Sequence, residues 1–433
     1  MTMKSLIRNI EIPVKDEFDV VVCGGGVAGF VAAISAARNG AKTALVEQYG
    51  FLGGTATAGM VSPIAEFRKS GKPIIKGIPW EFAEKLIEAD MAKNDLSKDY
   101  LLFDQEYYKL IAQQMVVEAG VTLFLHSYIT GIEMQEGHIS HVYIVNKSGN
   151  MALGAKAVID CTGDADIAYE AGVPMLNDSD SIQPMTLWLK LGGVDTEAIE
   201  AADRANKSKR RQIWPIHEKL NELRNDTYVP QFGGPWVFST FHDGIVNINI
   251  TRVSANAADG DDLTRAEVTL HNDAYTLVQL LKENFDAFKN CFILQSATAA
   301  GARESRRIQG VFTVSVDDLL ESKHYEDAIA MGGHCIDVHR ADSSEQDVQF
   351  LTEPYYIPYR CMITNEIDNL LVAGRCVSAY KEAQATMRVQ GPCMAEGEAA
   401  GCAAAMCVAE GKKVTEIDYA ELRKCLAEQG VIL

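Results

Sequence analysis

The chain lacks any run approaching the roughly 20 consecutive apolar residues that a bilayer-spanning helix needs, so no membrane span is expected. Its opening residues, Met1 to Lys15, alternate charged and apolar side chains without the apolar stretch of a secretory signal, which makes a cytoplasmic protein the expectation. Positive charge is also scarce. Forty Lys and Arg stand against 59 Asp and Glu, a formal net charge of -19. A surface that negative repels phosphate backbones and excludes nucleic acid as a partner. The ten cysteines are scattered singly, with no CxxC pair and no Cys/His cluster at zinc or iron–sulfur spacing. No metal is therefore expected, and reduced thiols fit the pattern. Internal repeats, low-complexity tracts and a serine triad are missing too.

What is present is 433 residues, 47% of them hydrophobic, enough for two or three domains around large cores. Asp19 to Cys23 is a short β-prone run of the type buried in a parallel sheet. Glycines follow it, then an alanine-rich helix from about Val27 to Asn39 closed by Gly40, then a strand from Lys42 to Val46. This βαβ opening favours an α/β, doubly wound sheet.

Gly24-x-Gly26-x-x-Gly29 sits between that strand and helix, the context a dinucleotide site requires. Gly24 permits the tight turn, Gly26 lets the backbone approach a pyrophosphate, and Gly29 lets helix and sheet pack closely. Val27 and Ala28 open the helix, whose free amides and dipole favour phosphate. Glu47 ends the second strand, followed by Gln48, where a carboxylate receives ribose hydroxyls and disfavours a 2′-phosphate.

Three further elements decide between flavin and nicotinamide. Gly53, Gly54 and Thr55 bring backbone and hydroxyl donors along an extended flavin nucleotide, where a simple NAD enzyme needs no such loop. Thr162, Gly163 and Asp164 follow a predicted strand at 157–160, and Gly374-Arg375 ends another at 369–374. A late helix from about Pro392 to Glu410, preceded by Gly391 and containing Cys393, presents its positive end. Cys393 reads either as a reactive thiol or as a small packing residue. FAD is the expected cofactor.

These motifs resemble those of the FAD-dependent oxidoreductases related in fold to fumarate reductase and succinate dehydrogenase flavoproteins, within the glutathione-reductase-like group. The resemblance runs through Asp19 to Thr57, Val158 to Ile167, Gly301 to Gly310, Ile336 to His339, Tyr355 to Arg360 and Asn369 to Ala405. It implies FAD bound across the interface of a nucleotide domain and a substrate domain. The expected architecture is a Rossmann-like FAD-binding domain, residues 1–170 plus 353–433, with an inserted mixed α+β substrate domain at 171–352. Arg375 stands where many relatives carry an acidic residue for the ribityl chain. A second GxGxxG after a strand is missing, so a separate electron donor or acceptor is expected, with a homodimer as the default assembly.

Chemistry on the small-molecule substrate is assigned to polar residues of the inserted domain. His339 is the first candidate, as an imidazole that carries a proton while hydride moves at flavin N5. Arg303 and Arg306, with Arg307 beside them, suit a carboxylate or a carbonyl oxygen, or alternatively tie the two domains together. Tyr355, Tyr356 and Tyr359 line the pocket or pack the junction, and Glu66 and Arg68 are placed at its mouth.

Overall fold

The computed structural model describes residues 9–95, 100–177, 181–205, 214–341 and 343–433. The first half of the Met1–Lys15 segment lies outside them. The nucleotide fold begins with β1 (Val14–Cys23), α1 (Val27–Arg38) and β2 (Thr43–Val46). Two amphipathic helices follow, α2 (Ile78–Glu88) and α3 (Gln105–Glu118), the latter capped by the Asp104 carboxylate on the amides of Glu106 and Tyr107. Next come β3 (Thr122–Phe124) and a meander of β4 (Tyr128–Gln135), β5 (His138–Asn146) and β6 (Gly149–Asp160). The meander turns at Glu136-Gly137 and at Ser148-Gly149.

The main sheet has the order β3-β2-β1-β6-β5-β4. Beside β1 on one edge, strand β6 is long enough to serve two partners on the other. Its first half pairs antiparallel with β5, and its last residues, Val158 to Asp160, pair in parallel with a late strand at Leu370–Val372. The parallel strands β1, β2, β6 and the late one thus end together, at Cys23, Val46, Asp160 and Val372. Ligands bind in α/β sheets at that edge.

A second, antiparallel sheet is built from β7 (Leu189–Gly192), β8 (Phe232–Ser239), β9 (Ile245–Thr251) and β10 (Phe292–Ser296), in the order β8-β9-β7-β10. The 25-residue helix α4 (Gly260–Asn284) covers it, capped by Asp259. Their shared apolar core draws on residues from Met185 to Ala297, with Met60 reaching in from the other side. From Ile308 to Leu351 the buried apolar side chains join the cores of the first sheet. The inserted unit with a core of its own is therefore narrower than 171–352, because the segments from Ile308 onward pack back onto the nucleotide fold.

The C-terminal part returns to the first domain through β11 (Ile336–His339), β12 (Leu370–Val372), α5 (Lys381–Met387), α6 (Gln390–Glu410) and α7 (Tyr419–Glu428). Helix α6 is buried nearly all round and lies against α1. Its glycines make that approach. A Cβ on Gly397 would sit 2.2 Å from the Ala28 carbonyl oxygen, and one on Gly401 2.3 Å from that of Ala32. Among the described residues no helix is long and apolar enough to cross a membrane. No group of three or more His, Cys, Asp or Glu among them is placed to hold a metal.

Candidate active site

A cleft of about 790 Å³ opens between the carboxyl edge of the main sheet and the second sheet. At its floor the strand ends are laced together. The amide of Gly24 donates to the Val46 carbonyl at 2.9 Å, that of Cys161 to Cys23 at 2.8 Å, and that of Ala373 to Asp160 at 3.0 Å. Gly24 needs its positive φ of 96°, and a Cβ there would strike the Cys161 carbonyl oxygen at 2.6 Å. At Gly29 a Cβ would fall 1.8 Å from the Gly24 carbonyl oxygen. Both glycines therefore shape the floor without lining the cleft.

Gly26 is different. A Cβ there would meet nothing closer than the Gly54 Cα at 3.9 Å. The space above it is open, and it leads to the uncapped first turn of α1, with Val27 and Ala28 on the wall. Gly53 donates to the Gly25 carbonyl at 2.9 Å, fastening the second glycine loop over the first. Gly54, Thr55 and Gln48 line the same wall. The buried Glu47 carboxylate lies just behind it, receiving the Gly25 and Tyr49 amides at 2.8 Å each. Burial raises its pKa, and those two amides pull it back.

The loop after β6 is organised by Asp160, which is fully buried and accepts from the Thr162 hydroxyl and from the amides of Thr162, Ile167 and Ala168. The Thr162 hydroxyl is spent inside this loop, so Thr162 faces the cleft with its remaining atoms. Asp164 reaches across to Arg375, 2.7 Å from the guanidinium, and Ser305 bridges the two. The basic residue after β12 is thus matched by an acidic one from the neighbouring loop. Arg306 lies behind that pair: its Nε donates to the Asp164 carbonyl at 2.8 Å, its Nη2 pairs with Asp166, and its plane covers the Tyr169 ring. It does not line the cleft, and it orders the loop from the back. Burial and the neighbouring Asp164 raise the Asp166 carboxyl to about 6.

The start of α6 also faces the cleft through Val389, Gln390 and Cys393. Gln390 donates to the Val61 carbonyl at 2.9 Å, while its buried Oε1 has no partner. Gly391 points elsewhere, packed against the Ala65 carbonyl oxygen and Ile75. The Cys393 thiol rests near the Met387 carbonyl, and burial pushes its pKa well up, which favours the packing role over a reactive one. Glu396 lies one turn on, fully buried, accepting the Gly374 amide at 2.8 Å. Burial pushes its carboxyl well above the usual range.

At the other end, Arg303, His334, Asp337, His339 and Arg388 share the wall with Trp188, Trp236 and Phe238. Arg252 donates Nη2 to the Nδ1 of His339 at 2.9 Å. A guanidinium offers no acceptor, so Nδ1 carries no proton. Nε2 therefore bears the hydrogen and donates it to Asp337 at 3.0 Å. His339 is a neutral imidazole with both nitrogens occupied. Burial and the nearby Arg303 charge lower its pKa to about 3. Burial alone would raise Asp337, but His339, Arg388 and His334 hold it well below the usual carboxylate range. Proton transfer through His339 would require one of these bonds to open. His334 behaves oppositely. Burial would lower it, but Cys335 and Glu66 outweigh that and raise it to about 10, with Nδ1 3.3 Å from the Glu66 carboxylate.

Tyr355 and Tyr359 are buried packing residues and do not line the cleft; Glu66 holds His334 from behind, and Arg68 lies over the Trp80 ring. Arg307 ties Glu304 to the Ala379 carbonyl. Sequence reasoning passed over His334, Asp337 and Arg388 as site residues. Asp337 and Arg388 lie in segments already marked by motif, and His334 follows the Gly332-Gly333 pair that lacks a nucleotide-binding context.

A family model described as FAD dependent oxidoreductase matches residues 19–426. The chain belongs to that family. As an FAD-dependent oxidoreductase it has an α/β fold with a Rossmann-like cofactor domain. Curated relatives match it over short segments. A dihydrolipoyl dehydrogenase of Trypanosoma brucei brucei is 60% identical over 43 residues, 10% of this chain and 9% of that protein. A thiamine thiazole synthase of Methanococcus maripaludis is 28% identical over 158 residues, 34% of this chain and 56% of that protein. The matched segment thus spans about a tenth of the dehydrogenase's length. Among solved structures, a geranylgeranyl bacteriochlorophyll reductase-like protein of Thermoplasma acidophilum shares 16% identity at a TM-score of 0.46, covering 95% of this chain and 83% of that one. The L-amino acid deaminase of Proteus vulgaris shares 12% at 0.47, covering 96% and 99%. The site fits the FAD of this oxidoreductase family: the space a Cβ on Gly26 would enter is open to a cofactor, and Gln390 on the cleft wall keeps a buried Oε1 that no protein group uses.

Proposed function

We propose that this FAD-dependent oxidoreductase performs a two-electron oxidation or reduction of a small organic molecule, with hydride passing at flavin N5. The observation that carries this reading is the continuity of the cleft, from the Gly26 and Gly54 loops at one end to Arg303, Arg388 and the tryptophans at the other. Cofactor and substrate would share one continuous cleft. The resemblance of Ile336 to His339 and Tyr355 to Arg360 to motifs of the FAD-dependent oxidoreductase family supports the same reading.

Bound FAD supplies the electron-pair chemistry. Glu47, fixed by two amides, has acceptor capacity left for ribose hydroxyls. The α1 amides beyond Gly26 would hold the pyrophosphate. The first turn of α6 and Gln390 would offer their polar groups to the flavin, where a helix N-terminus favours negative charge. Gly163, Asp164, Gly374 and Arg375, which line the cleft between these ends, would border the rest of the cofactor.

The proton that accompanies hydride is assigned to His334, which holds it at neutral pH and lines the cleft. His339 acts as a positioning residue, linking Arg252 to Asp337, while Arg303 is the substrate-side cation. The first test is the absorption spectrum of purified protein before and after acid precipitation. Yellow colour released into the supernatant supports non-covalent FAD; colourless protein, even after FAD is added, overturns the reading. Once substrate is found by flavin bleaching, H334Q is expected to slow it at least tenfold and to flatten its pH profile. An unchanged profile would remove His334 from the proton path.

A further inference from the structure

The substrate end of the cleft carries an unbalanced charge. Arg303 and Arg388 line it, and Arg252 reaches it through its bond to His339. Against them stands the Asp337 carboxylate, since His339 is neutral and the Glu66 carboxylate is taken by the His334 imidazolium. Arg252 is consumed by structure: besides His339 it donates to the carbonyls of Ser343 and Glu345 at 2.5 and 3.0 Å.

Arg303 and Arg388 are the cations left facing the cleft. Arg303 is buried, 9% exposed, and its Nη1 donates to two neutral oxygens, the Pro184 carbonyl and the Thr186 hydroxyl, at 2.6 Å each. Arg388 donates to the Asp337 carbonyl at 3.2 Å, and its Nε is buried without a partner. Among the described residues neither guanidinium has a carboxylate within ion-pair distance. A buried cation without a counter-ion is costly, and a ligand anion is the group that would remove the cost.

The neighbouring wall is aromatic. Trp188 stacks on Phe238 with ring centroids 5.7 Å apart, and Trp236 meets the His339 ring edge-on at 5.6 Å. Indole and phenyl faces next to forked donors suit a molecule with an apolar ring and one acidic end. Arginine also discriminates: a planar carboxylate can take two of its donors at once.

We propose that the substrate is an amphipathic organic anion, an aromatic or alicyclic ring bearing a carboxylate, seated with the carboxylate on Arg303 and Arg388 and the ring against Trp188, Trp236 and Phe238. This rests on the redox reading of the cleft and names its substrate class. Part of the anion's role is to neutralise the guanidinium pair, so an uncharged isostere leaves that pair as it was.

The test is a titration of the purified holoprotein with benzoate, followed by quenching of tryptophan fluorescence and by thermal shift. Benzamide, acetate and benzylamine serve as parallel probes. Benzoate is expected to bind saturably, and benzamide and acetate roughly tenfold or more weaker, each lacking one half of the recognition. Benzylamine should not bind. R303Q and R388Q should each weaken benzoate roughly ten- to hundredfold while flavin content, read from acid-released absorbance, stays at the parent level. If R303Q fails to fold, R303K and R388Q carry the test. Equal binding of benzoate and benzamide overturns the anion assignment, acetate binding as tightly as benzoate overturns the ring assignment, and binding untouched by every arginine variant overturns the site. Flavin content is measured on the same samples, so loss of the redox reading and loss of the anion reading are seen separately.

Discussion

Replacing Gly397 by alanine tests the contact between α1 and α6 directly. The new Cβ would lie 2.2 Å from the Ala28 carbonyl oxygen and 2.9 Å from its carbon. Ordinary contact needs about 1 Å more, and neither partner is a flexible side-chain end, so the two helices must separate or tilt. Overpacking of this kind costs about 1–3 kcal/mol, offset in part by the roughly 1 kcal/mol that alanine contributes to a helix interior. The sharper consequence is on flavin. Ala28 lines the cleft two residues past Gly26, so a shift there moves the first turn of α1. Gly411, at the end of the same helix, is the control. Its φ is 64° and a Cβ there would touch nothing within 4 Å, so G411A should cost about 1 kcal/mol through backbone conformation alone. Thermal unfolding and flavin content, measured side by side, decide. G397A should lose both stability and flavin, and G411A only a little stability. Equal flavin content in the two variants would refute the idea that this crossing sets the cofactor floor.

G26A should leave the stability of flavin-free protein within about 0.5 kcal/mol, because its Cβ has room and its φ is ordinary, yet weaken FAD retention at least tenfold; retained flavin at the parent level would deny the phosphate approach at Gly26. Glu398 is buried, which raises its carboxyl to about 8 against an ordinary 4.5. Its contribution is fully present below pH 4.5 and is lost as pH rises to 8, by about 5 kcal/mol at most. Urea unfolding of E398Q should show a flatter pH dependence across that window, and an unchanged slope would rule Glu398 out as its source. His339 has the opposite sign for a histidine: with its folded pKa near 3 and an ordinary value of 6.5, its contribution is present above pH 6.5 and is lost as pH falls toward 3. Its imidazole NMR shifts should stay constant from pH 8 to 4, and a midpoint near 6.5 would show that the Arg252 and Asp337 bonds are not held.

The parts of this protein visible in its sequence are those set by local rules. The run Asp19 to Cys23, the glycines at 24, 26 and 29 and the alanine-rich helix announce one another because strand, turn and helix follow within about 20 residues. The turns at Glu136-Gly137 and Ser148-Gly149 announce the meander for the same reason. What could not be seen depends on residues far apart in the chain. Arg252 and His339 are separated by 87 positions, and nothing periodic links them. The bonds that occupy both nitrogens of His339, and so alter its role, come from a second strand and a neighbouring residue. Glu396 and Glu398 were hidden differently: nothing in the pattern of this alanine-rich helix marks two glutamates as buried, yet both are, because α6 is enclosed nearly all round. Arg306 shows the limit of spacing arguments, since it is three residues from Arg303 yet serves the opposite face of the Asp164 loop.

Arg252 follows the last residue of β9 and binds the turn beyond β11 through three carbonyls and one imidazole. It is a strut between two bodies that bound the same cavity. A cavity braced in this way does not widen by swinging one wall outward, because the swing would strip a buried guanidinium of its acceptors all at once. Traffic of small molecules must instead use the rotamers of side chains at the rim, and exchange should be governed by those side-chain barriers and should be only weakly sensitive to solvent viscosity.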